Sequence, residues 1–330
     1  MTSTRRSVLR GAAAIAAAAS ALPAPRIARA AGPAWPPRPI TIVVPYSPGG
    51  GTDIFARALA EGMRSALGQT VVVENKAGAN GIIGAEYVSR STPDGCMLAV
   101  CTGAHVINRY SMAQIPFDPV KDFTPISKLS SFPLVVAATE KAPFNDVAGL
   151  LAAAREKPGS ISFGTTEAAT SYAGNSFARQ AGIRLVEVPY RGSGPQLNDL
   201  IAGHISLAVT STVAVLPYLN GGGIKALGVT STTRSPLIPN VPTLTEAGIR
   251  DYEFTGWYGM YGPKGIPPEI AAKLYAAIQA TLANPTIGKK LKDLGADLDS
   301  LGPDGFPAFL EQDDKRWAAA AREGLITAAP

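Results

Sequence analysis

A short apolar run that ends in a glycine-rich loop constrains the fold of this chain more than any other feature. Residues 40–45 are apolar and mostly β-branched, which is typical of a buried strand. The loop that follows contains Gly49, Gly50 and Gly51, and a helical pattern begins at residue 54 and runs to residue 67. A strand that passes through a tight loop into a helix is the repeating unit of a helix-covered parallel sheet. The sequence therefore predicts an α/β fold.

The alternation of strands and helices continues and then restarts in the second half of the chain. Two such sets, joined by strand-like segments, predict two lobes with a cleft between them. The further predicted strands are residues 71–73, 97–101, 133–138, 160–163, 184–189, 206–210, 224–229 and 254–261. The further predicted helices are residues 85–89, 146–155, 195–202, 268–283 and 306–322. One more helix follows a loop at residues 164–171, and this helix ends near residue 180.

The N-terminus has the features of an export signal. Arg5 and Arg6 precede an apolar, alanine-rich run at residues 11–22, and Ala28 and Ala30 provide a cleavage site. The paired arginines indicate twin-arginine export to the periplasm. An amphipathic helix and an uncleaved anchor are the alternatives.

The leader also accounts for the net charge of +5, because residues 1–30 carry five arginines and no acid. The rest of the chain has as many basic as acidic residues, 25 of each. A balanced charge argues against a nucleic-acid partner. Outside the leader, no stretch approaches the roughly 18 apolar residues of a membrane span.

Candidate catalytic and metal-binding groups are sparse. Cys96 and Cys101 lie on opposite faces of a predicted strand, about 16 Å apart, so we expect two buried free thiols. His105 and His204 are isolated, and a structural or surface role is expected for both. The pair at residues 313–314 is expected to form a solvated face. The sequence therefore predicts no catalytic residue, no metal site and no cofactor.

The first glycine loop is a candidate anion site. Free amides at a helix start attract negative charge, and small side chains let a ligand approach the backbone. Alternatively, the glycines only make a tight turn and Asp53 only caps the helix. A nucleotide-binding loop fits poorly, because no lysine follows the glycines and Ile54 stands at the third glycine of the dinucleotide pattern.

Two later loops add hydrogen-bonding groups. The loop at residues 164–171 carries the hydroxyls of Thr165, Thr166, Thr170 and Ser171 before a helix. Plain capping of that helix explains one hydroxyl but not four. The loop at residues 189–194 adds an aromatic ring and Arg191, which is either a carboxylate clamp or a solvated surface residue.

Four motifs, in this order and spacing, resemble the periplasmic receptors of tripartite tricarboxylate transporters, also called the Bug family. They are ITIVVPYSPGGGTD at residues 40–53, VENKAGANG at 73–81, VPYRG at 188–192 and PNVPTLTEAG at 239–248. The resemblance implies a two-lobed, type II-like periplasmic-binding-protein fold with the ligand in the cleft between the lobes. It implies an export signal at residues 1–30, lobe 1 at 31–131 plus 252–330, and lobe 2 at 132–251. It further implies a monomer that binds a small carboxylate and delivers it to membrane permease subunits.

The resemblance also implies the ligand-binding residues. They are Tyr46, Ser47, Gly50, Gly51, Thr52, Asp53, Asn80 and Gly81 in the first lobe, Thr165, Thr166, Ala169, Thr170, Ser171, Tyr190 and Gly192 in the second, and Trp257 and Tyr258 near the crossover.

The chain departs from the common family pattern in the second loop. Many relatives have glycines and a histidine where this chain has Glu167, Ala168, Ala169 and Ser171. A carboxylate ligand is repelled by Glu167 unless that side chain points away. The alternatives to a transport receptor are a periplasmic sensor subunit and a periplasmic cofactor-dependent enzyme.

Overall fold

The computed structural model describes residues 35–219, 221–324 and 326. The chain divides into two units, Met1–Pro37 and Arg38–Pro330, and every described strand and helix lies in the second. The predicted export signal, with Arg5, Arg6 and the cleavage site, lies outside the described residues. Within the described residues, no helix is long and apolar enough to cross a bilayer.

The described elements alternate as the sequence predicts. The strands are β1 Ile40–Val44, β2 Val71–Asn75, β3 Met97–Thr102, β4 Phe123–Thr139, β5 Ser162–Thr165, β6 Val186–Pro189, β7 Leu207–Ser211, β8 Ile224–Val229 and β9 Thr255–Pro263. The helices are α1 Gly51–Leu67, α2 Ile82–Ser89, α3 Ala104–Ser111, α4 Val147–Glu156, α5 Ala168–Gln180, α6 Ser193–Ala202, α7 Thr212–Leu219, α8 Pro268–Ala283, α9 Pro285–Asp293 and α10 Phe306–Arg322.

The strands form one mixed sheet in the order β2-β1-β3-β9-β4-β7-β5-β6, with β8 also paired to β4. Strands β2, β1 and β3 are parallel, and so are β6, β5 and β7. Each parallel set is built from strand–helix units, as the alternating pattern predicts. We refer to β1, β2, β3, β9 and the first part of β4 as the first lobe, and to β5–β8 and the second part of β4 as the second lobe.

Strand β4 joins the two lobes because its partners change along its length. It pairs with β9 up to Pro133 and with β7 from Leu134 onward. Thr230 ties the return crossover to the same point: its hydroxyl accepts from the Leu134 amide at 2.8 Å and lies 2.6 Å from the Phe254 carbonyl, to which it donates. The predicted lobe boundaries, at residues 132 and 252, stay predictions.

Several predicted elements are confirmed with their bounds, among them β8, α8 and α10. Helices α3, α7 and α9 and the first half of β4 were not predicted. Helix α7 contains Pro217, which obscures a helical pattern. Helix α9 carries a readable signal, since the Asn284 side chain caps it by accepting from the amides of Thr286 and Ile287.

The second predicted loop is shorter than expected. Helix α5 begins at Ala168, so Ala169, Thr170 and Ser171 lie in its first turn and not in the loop. The helix therefore presents its N-terminus, together with Thr170, beside the end of β5.

The isolated cysteines and His105 have the structural roles that we predict. Cys96 and Cys101 are buried free thiols. His105 is buried among aromatic rings with its Nε2 2.9 Å from the Pro119 carbonyl, and burial lowers its pKa to about 4.

The prediction for residues 313–314 is wrong. Asp313 is buried and accepts from Trp317 Nε1 at 2.9 Å, and burial raises its pKa to about 6. Asp314 binds Arg109 at 2.9 Å and Tyr110 at 2.8 Å, which joins α10 to α3. Polar helix positions that have partners on a neighbouring helix do not face solvent, and the sequence alone does not show those partners.

Helix α5 depends on a glycine for its close packing on β5. A Cβ on Gly174 would lie 2.3 Å from a ring carbon of Phe163, which is fully buried. We expect Gly174→Ala to lower the free energy of unfolding by about 1–2 kcal/mol, since overpacking outweighs the gain of up to about 1 kcal/mol in helix propensity. Chemical denaturation measures the change. Arg179→Ala, at an exposed position of the same helix, is the control; equal stability of the two variants would contradict the packing argument.

A candidate ligand cleft between the lobes

A small cavity lies between the two lobes, where several strands end and helices begin. Its volume is about 30 Å³, which is room for one or two water molecules. The cavity is lined by Tyr46, Gly50, Gly51, Thr52, Thr102, Phe132, Leu134, Thr166, Glu167, Thr170, Gly192, Ser193, Ser211 and Tyr258.

The β1–α1 loop places an uncapped helix start at the cavity. Gly50 is extended and has no side chain to cap α1, so the first amides of this 17-residue helix keep their donor capacity. Gly50 and Gly51 also leave the backbone accessible from the cavity. This end of α1 is a candidate anion site, as the sequence predicts.

Asp53 stabilises this loop and does not line the cavity. Its carboxylate accepts from the Gly49 amide at 3.0 Å, from Arg57 at 3.0 Å and from Asn75 at 3.0 Å. Burial alone would raise its pKa, but these donors hold the pKa of Asp53 below its usual value. The acid therefore stays ionised and fixes the glycine turn.

The hydroxyls of the second loop are mostly used locally. Thr165 donates to Glu187 at 2.7 Å, and Ser171 accepts from Asn175 at 3.3 Å. The Thr170 hydroxyl accepts from the amides of Thr166 and Glu167 at 2.9 and 3.2 Å. Thr170 thus caps α5, while Thr166 and Thr170 are the members of this group that line the cavity.

Close contacts between the lobes surround the cavity. Ser47 of the first lobe donates to the Arg191 carbonyl of the second at 2.9 Å. Tyr258 lines the cavity together with Thr52 of the first lobe and Ser211 of the second. Thr102 donates to Glu167 across the cleft at 2.5 Å. The structure is therefore a closed arrangement, and the small cavity volume follows from that closure.

Glu167 points into the cleft and not away from it. It is partly buried at the start of α5, and its carboxyl accepts from Thr102, which lies 2.9 Å from the Tyr46 hydroxyl. Burial raises the pKa of Glu167 to about 7, although the nearby hydroxyls of Thr102 and Tyr46 lower it. The group is thus close to half-ionised at neutral pH.

The structure brings about half of the predicted site residues to the cavity. Those that line it are Tyr46, Gly50, Gly51, Thr52, Thr166, Thr170, Gly192 and Tyr258. Those that it places elsewhere are Ser47, Asp53, Asn80, Gly81, Thr165, Ala169, Ser171, Tyr190 and Trp257.

The displaced residues have partners of their own, and one of them, Gly81, contacts the lining directly. The Gly81 position packs on the Tyr46 ring, and the Asn80 carbonyl accepts from Asn108 at 2.9 Å. Tyr190 donates to Asp199 at 2.7 Å. Trp257 packs on Phe306 and Phe309.

Sequence reasoning missed Thr102, Phe132, Leu134, Ser193 and Ser211. Thr102 and Ser211 are the last residues of β3 and β7. Ligands of parallel α/β sheets bind at the carboxyl ends of strands, so both positions could have been inferred once those strands were predicted.

The comparisons with known proteins agree with this architecture. The family described as "Tripartite tricarboxylate transporter family receptor" matches residues 55–323. The chain belongs to this family. It is 31% identical over 293 residues to Protein BugT of Bordetella pertussis, covering 88% of this chain and 90% of that one.

Solved structures of similar proteins extend the family assignment to the fold. The periplasmic binding protein BugD has 33% identity and a TM-score of 0.85, over 89% of this chain and all of its own. R. palustris Rpa4515 with adipate has 32% identity and a TM-score of 0.86, over 89% of this chain and 100% of its own. The two-lobed periplasmic-binding-protein fold is thereby confirmed, as is the prediction that this receptor-family chain is not an enzyme.

The closed arrangement of this receptor depends on the absence of a side chain at Gly192. A Cβ there would lie 2.8 Å from Ser47 Cβ and 3.1 Å from its amide nitrogen. The extended backbone of Gly192 accepts any residue, so Gly192→Ala changes the contact between the lobes and not the local fold. We expect overpacking to disfavour closure by about 1–3 kcal/mol, a fivefold or larger shift towards the open form.

Small-angle X-ray scattering measures this effect as an increased radius of gyration. Gly194→Ala is the matched control, because its Cβ would approach only the Pro48 carbonyl, at 3.4 Å. Scattering curves that coincide for both variants and the parent protein would contradict the assignment of Gly192 to the closing contact.

Proposed function

We propose that this chain captures a small carboxylated compound in the periplasm and delivers it to a membrane permease of the tripartite tricarboxylate type. The ligand classes are di- and tricarboxylates, aromatic carboxylates and acidic amino acids. The observation that carries the proposal is the cleft itself, where the start of α1, which no side chain caps, lies between two contacting lobes. The family assignment and the adipate bound to the R. palustris relative support it.

Helix ends and hydroxyls would hold the ligand carboxylate. Helices α1 and α6 both begin after a glycine at the cavity, so neither N-cap side chain competes for their first amides. The hydroxyls of Thr52, Ser193 and Ser211 lie in the lining beside them. Binding would convert these groups from two separate surfaces into one enclosed site, and the permease would recognise the closed form.

We propose that the other predicted residues do not contact the ligand and instead stabilise the surrounding structure. Asp53 holds the α1 loop, Gly81 packs against Tyr46, and Asn80 accepts from Asn108. Direct ligand contact is proposed for Tyr46, Gly50, Gly51, Thr52, Thr166, Thr170, Gly192 and Tyr258. We further propose that the receptor is a monomer, with lobe 1 at residues 31–131 plus 252–330 and lobe 2 at 132–251.

A calorimetric screen of the three ligand classes tests the proposal, with adipate included because a relative binds it. We expect at least one carboxylate to bind and to raise the melting temperature of the protein. If no compound in the panel binds, and circular dichroism shows that the protein is folded, the carboxylate proposal is contradicted.

Thr170 gives that screen a matched pair of variants. Thr170→Ala removes the hydroxyl that fixes the amides of Thr166 and Glu167, a cap of about 0.5–2 kcal/mol. We expect roughly tenfold weaker binding of the carboxylate found in the screen. Thr170→Ser keeps the hydroxyl and should bind nearly as tightly as the parent; equal affinity of all three proteins would place the ligand elsewhere.

We also propose that the paired arginines direct twin-arginine export and that the leader is removed after Ala30. Replacement of Arg5 and Arg6 by lysine should leave the precursor in the cytoplasm, while Arg10→Lys, outside the pair, should not. Cell fractionation and N-terminal sequencing of the periplasmic protein measure the outcome. An intact N-terminus on periplasmic protein would refute cleavage.

A further inference from the structure

The charge of the cleft is unusual for a site that receives an anion. Among the described residues that line the cavity, Glu167 carries a carboxyl and none is Lys, Arg or His. An anionic ligand would therefore meet a fixed acid and no side-chain cation. The ligand itself has to supply a group that is compatible with that acid.

Glu167 is built into the site by its position in the fold. It lies at the start of α5 with an extended backbone, and the Thr170 hydroxyl fixes its amide at 3.2 Å. From this position in the second lobe its carboxyl crosses the cleft to the first lobe, where Thr102 donates to it at 2.5 Å. Thr102 in turn lies 2.9 Å from the Tyr46 hydroxyl. The carboxyl therefore occupies the space between the lobes that a ligand enters.

Within the part of the chain that the structure describes, no oppositely charged group interacts with this carboxyl. The titratable groups that interact with it electrostatically are Tyr46 after β1, Cys101 in β3 and Tyr258 in β9. Burial raises the pKa of each of these three groups well above neutrality, so all are uncharged. Beside Glu167 in the chain, Thr166 before α5 and Thr170 in its first turn contribute only hydroxyls and amides to the cavity.

The opposite side of the cavity offers hydrogen-bond donors and positive electrostatic potential. The start of α1, at Gly50 and Gly51, offers backbone amides and the positive end of a helix dipole. A small ligand that touches both sides meets donors on one side and an acidic acceptor on the other. Ligands that carry an anion and a cation close together match this arrangement, whereas a second carboxylate beside Glu167 is repelled.

We propose that Glu167 is the specificity-determining residue of this receptor and selects ligands that carry an ammonium group next to their carboxylate, namely amino acids over the matching acids without the amine. The ligand carboxylate binds at the start of α1, and the ammonium group replaces Thr102 as a donor to Glu167. This inference rests on the proposed function, since it assumes a carboxylate ligand in the same cleft.

Matched ligand pairs that differ only in the amine test the inference: glutamate with glutarate, aspartate with succinate, and phenylalanine with 3-phenylpropionate. Calorimetry at pH 8, where Glu167 is ionised, should show at least tenfold tighter binding of an amine-bearing member. In Glu167→Gln this preference should vanish or reverse, because the neutral amide no longer attracts ammonium or repels a carboxylate. Lowering the pH from 8 to 6 protonates Glu167 and should reduce the preference in the parent protein.

Two further variants control for folding and for general charge effects. Glu167→Asp keeps the negative charge and should retain part of the preference. Glu140→Gln removes an exposed carboxyl of the second lobe, away from the cavity, and should leave the preference unchanged. Melting curves for each variant establish that the compared proteins are folded.

The outcomes separate this inference from the proposed function. If the acids without an amine bind the parent as tightly as the amino acids, or if Glu167→Gln keeps the preference, the inference is overturned and carboxylate binding stands. If no member of any pair, and no other carboxylate, binds to the parent or to Glu167→Gln, both are overturned.

Discussion

The structure depends on one strand that serves both lobes. Strand β4 pairs with β9 through Pro133 and with β7 from Leu134, so the sheet is continuous while its partners change. Proline has no amide hydrogen to donate, so the ladder loses no donor where the change occurs. Phe132 and Leu134, on either side of this point, both line the cleft. The cleft therefore lies beside the point where β4 changes its partners from one lobe to the other.

Under the proposed function, the cleft attracts an anion through its backbone, since the chain outside residues 1–30 has no excess of positive charge. Gly50 precedes α1 and Gly192 precedes α6, and neither can cap its helix with a side chain. A dipole end of this kind contributes about 0.3–1 kcal/mol at an exposed site and up to about 2 kcal/mol when partly buried. Closure therefore strengthens the attraction between the helix ends and an anion, since it removes the solvent that screens their weak positive potential.

The sequence predicts the parts of the site that depend on local chemistry. The glycine loop before α1 and the α/β alternation are both readable, because small residues and apolar periodicity act over a few positions. Contacts across the cleft are not readable in the same way. Thr102 and Glu167 are 65 positions apart and meet only because α5 starts opposite the end of β3. Likewise, Asp53 has the residue type of a ligand contact, but Arg57 and Asn75 turn its carboxylate away from the cavity.

The closed arrangement has a further consequence for affinity. Ser47 and Thr102 already make hydrogen bonds across the cleft, and the cavity volume is only about 30 Å³. A ligand shifts a conformational equilibrium only by its differential affinity for the two states. It must therefore gain more in the enclosed site than it loses by displacing the bond between Thr102 and Glu167. A ligand that donates to Glu167 replaces the donor that it displaces, whereas one that only accepts leaves this partly buried carboxyl short of one donor, at a cost of about 1–3 kcal/mol. Under the inference drawn for Glu167, the acid that bridges the two lobes thus also sets the chemical requirement for the ligand.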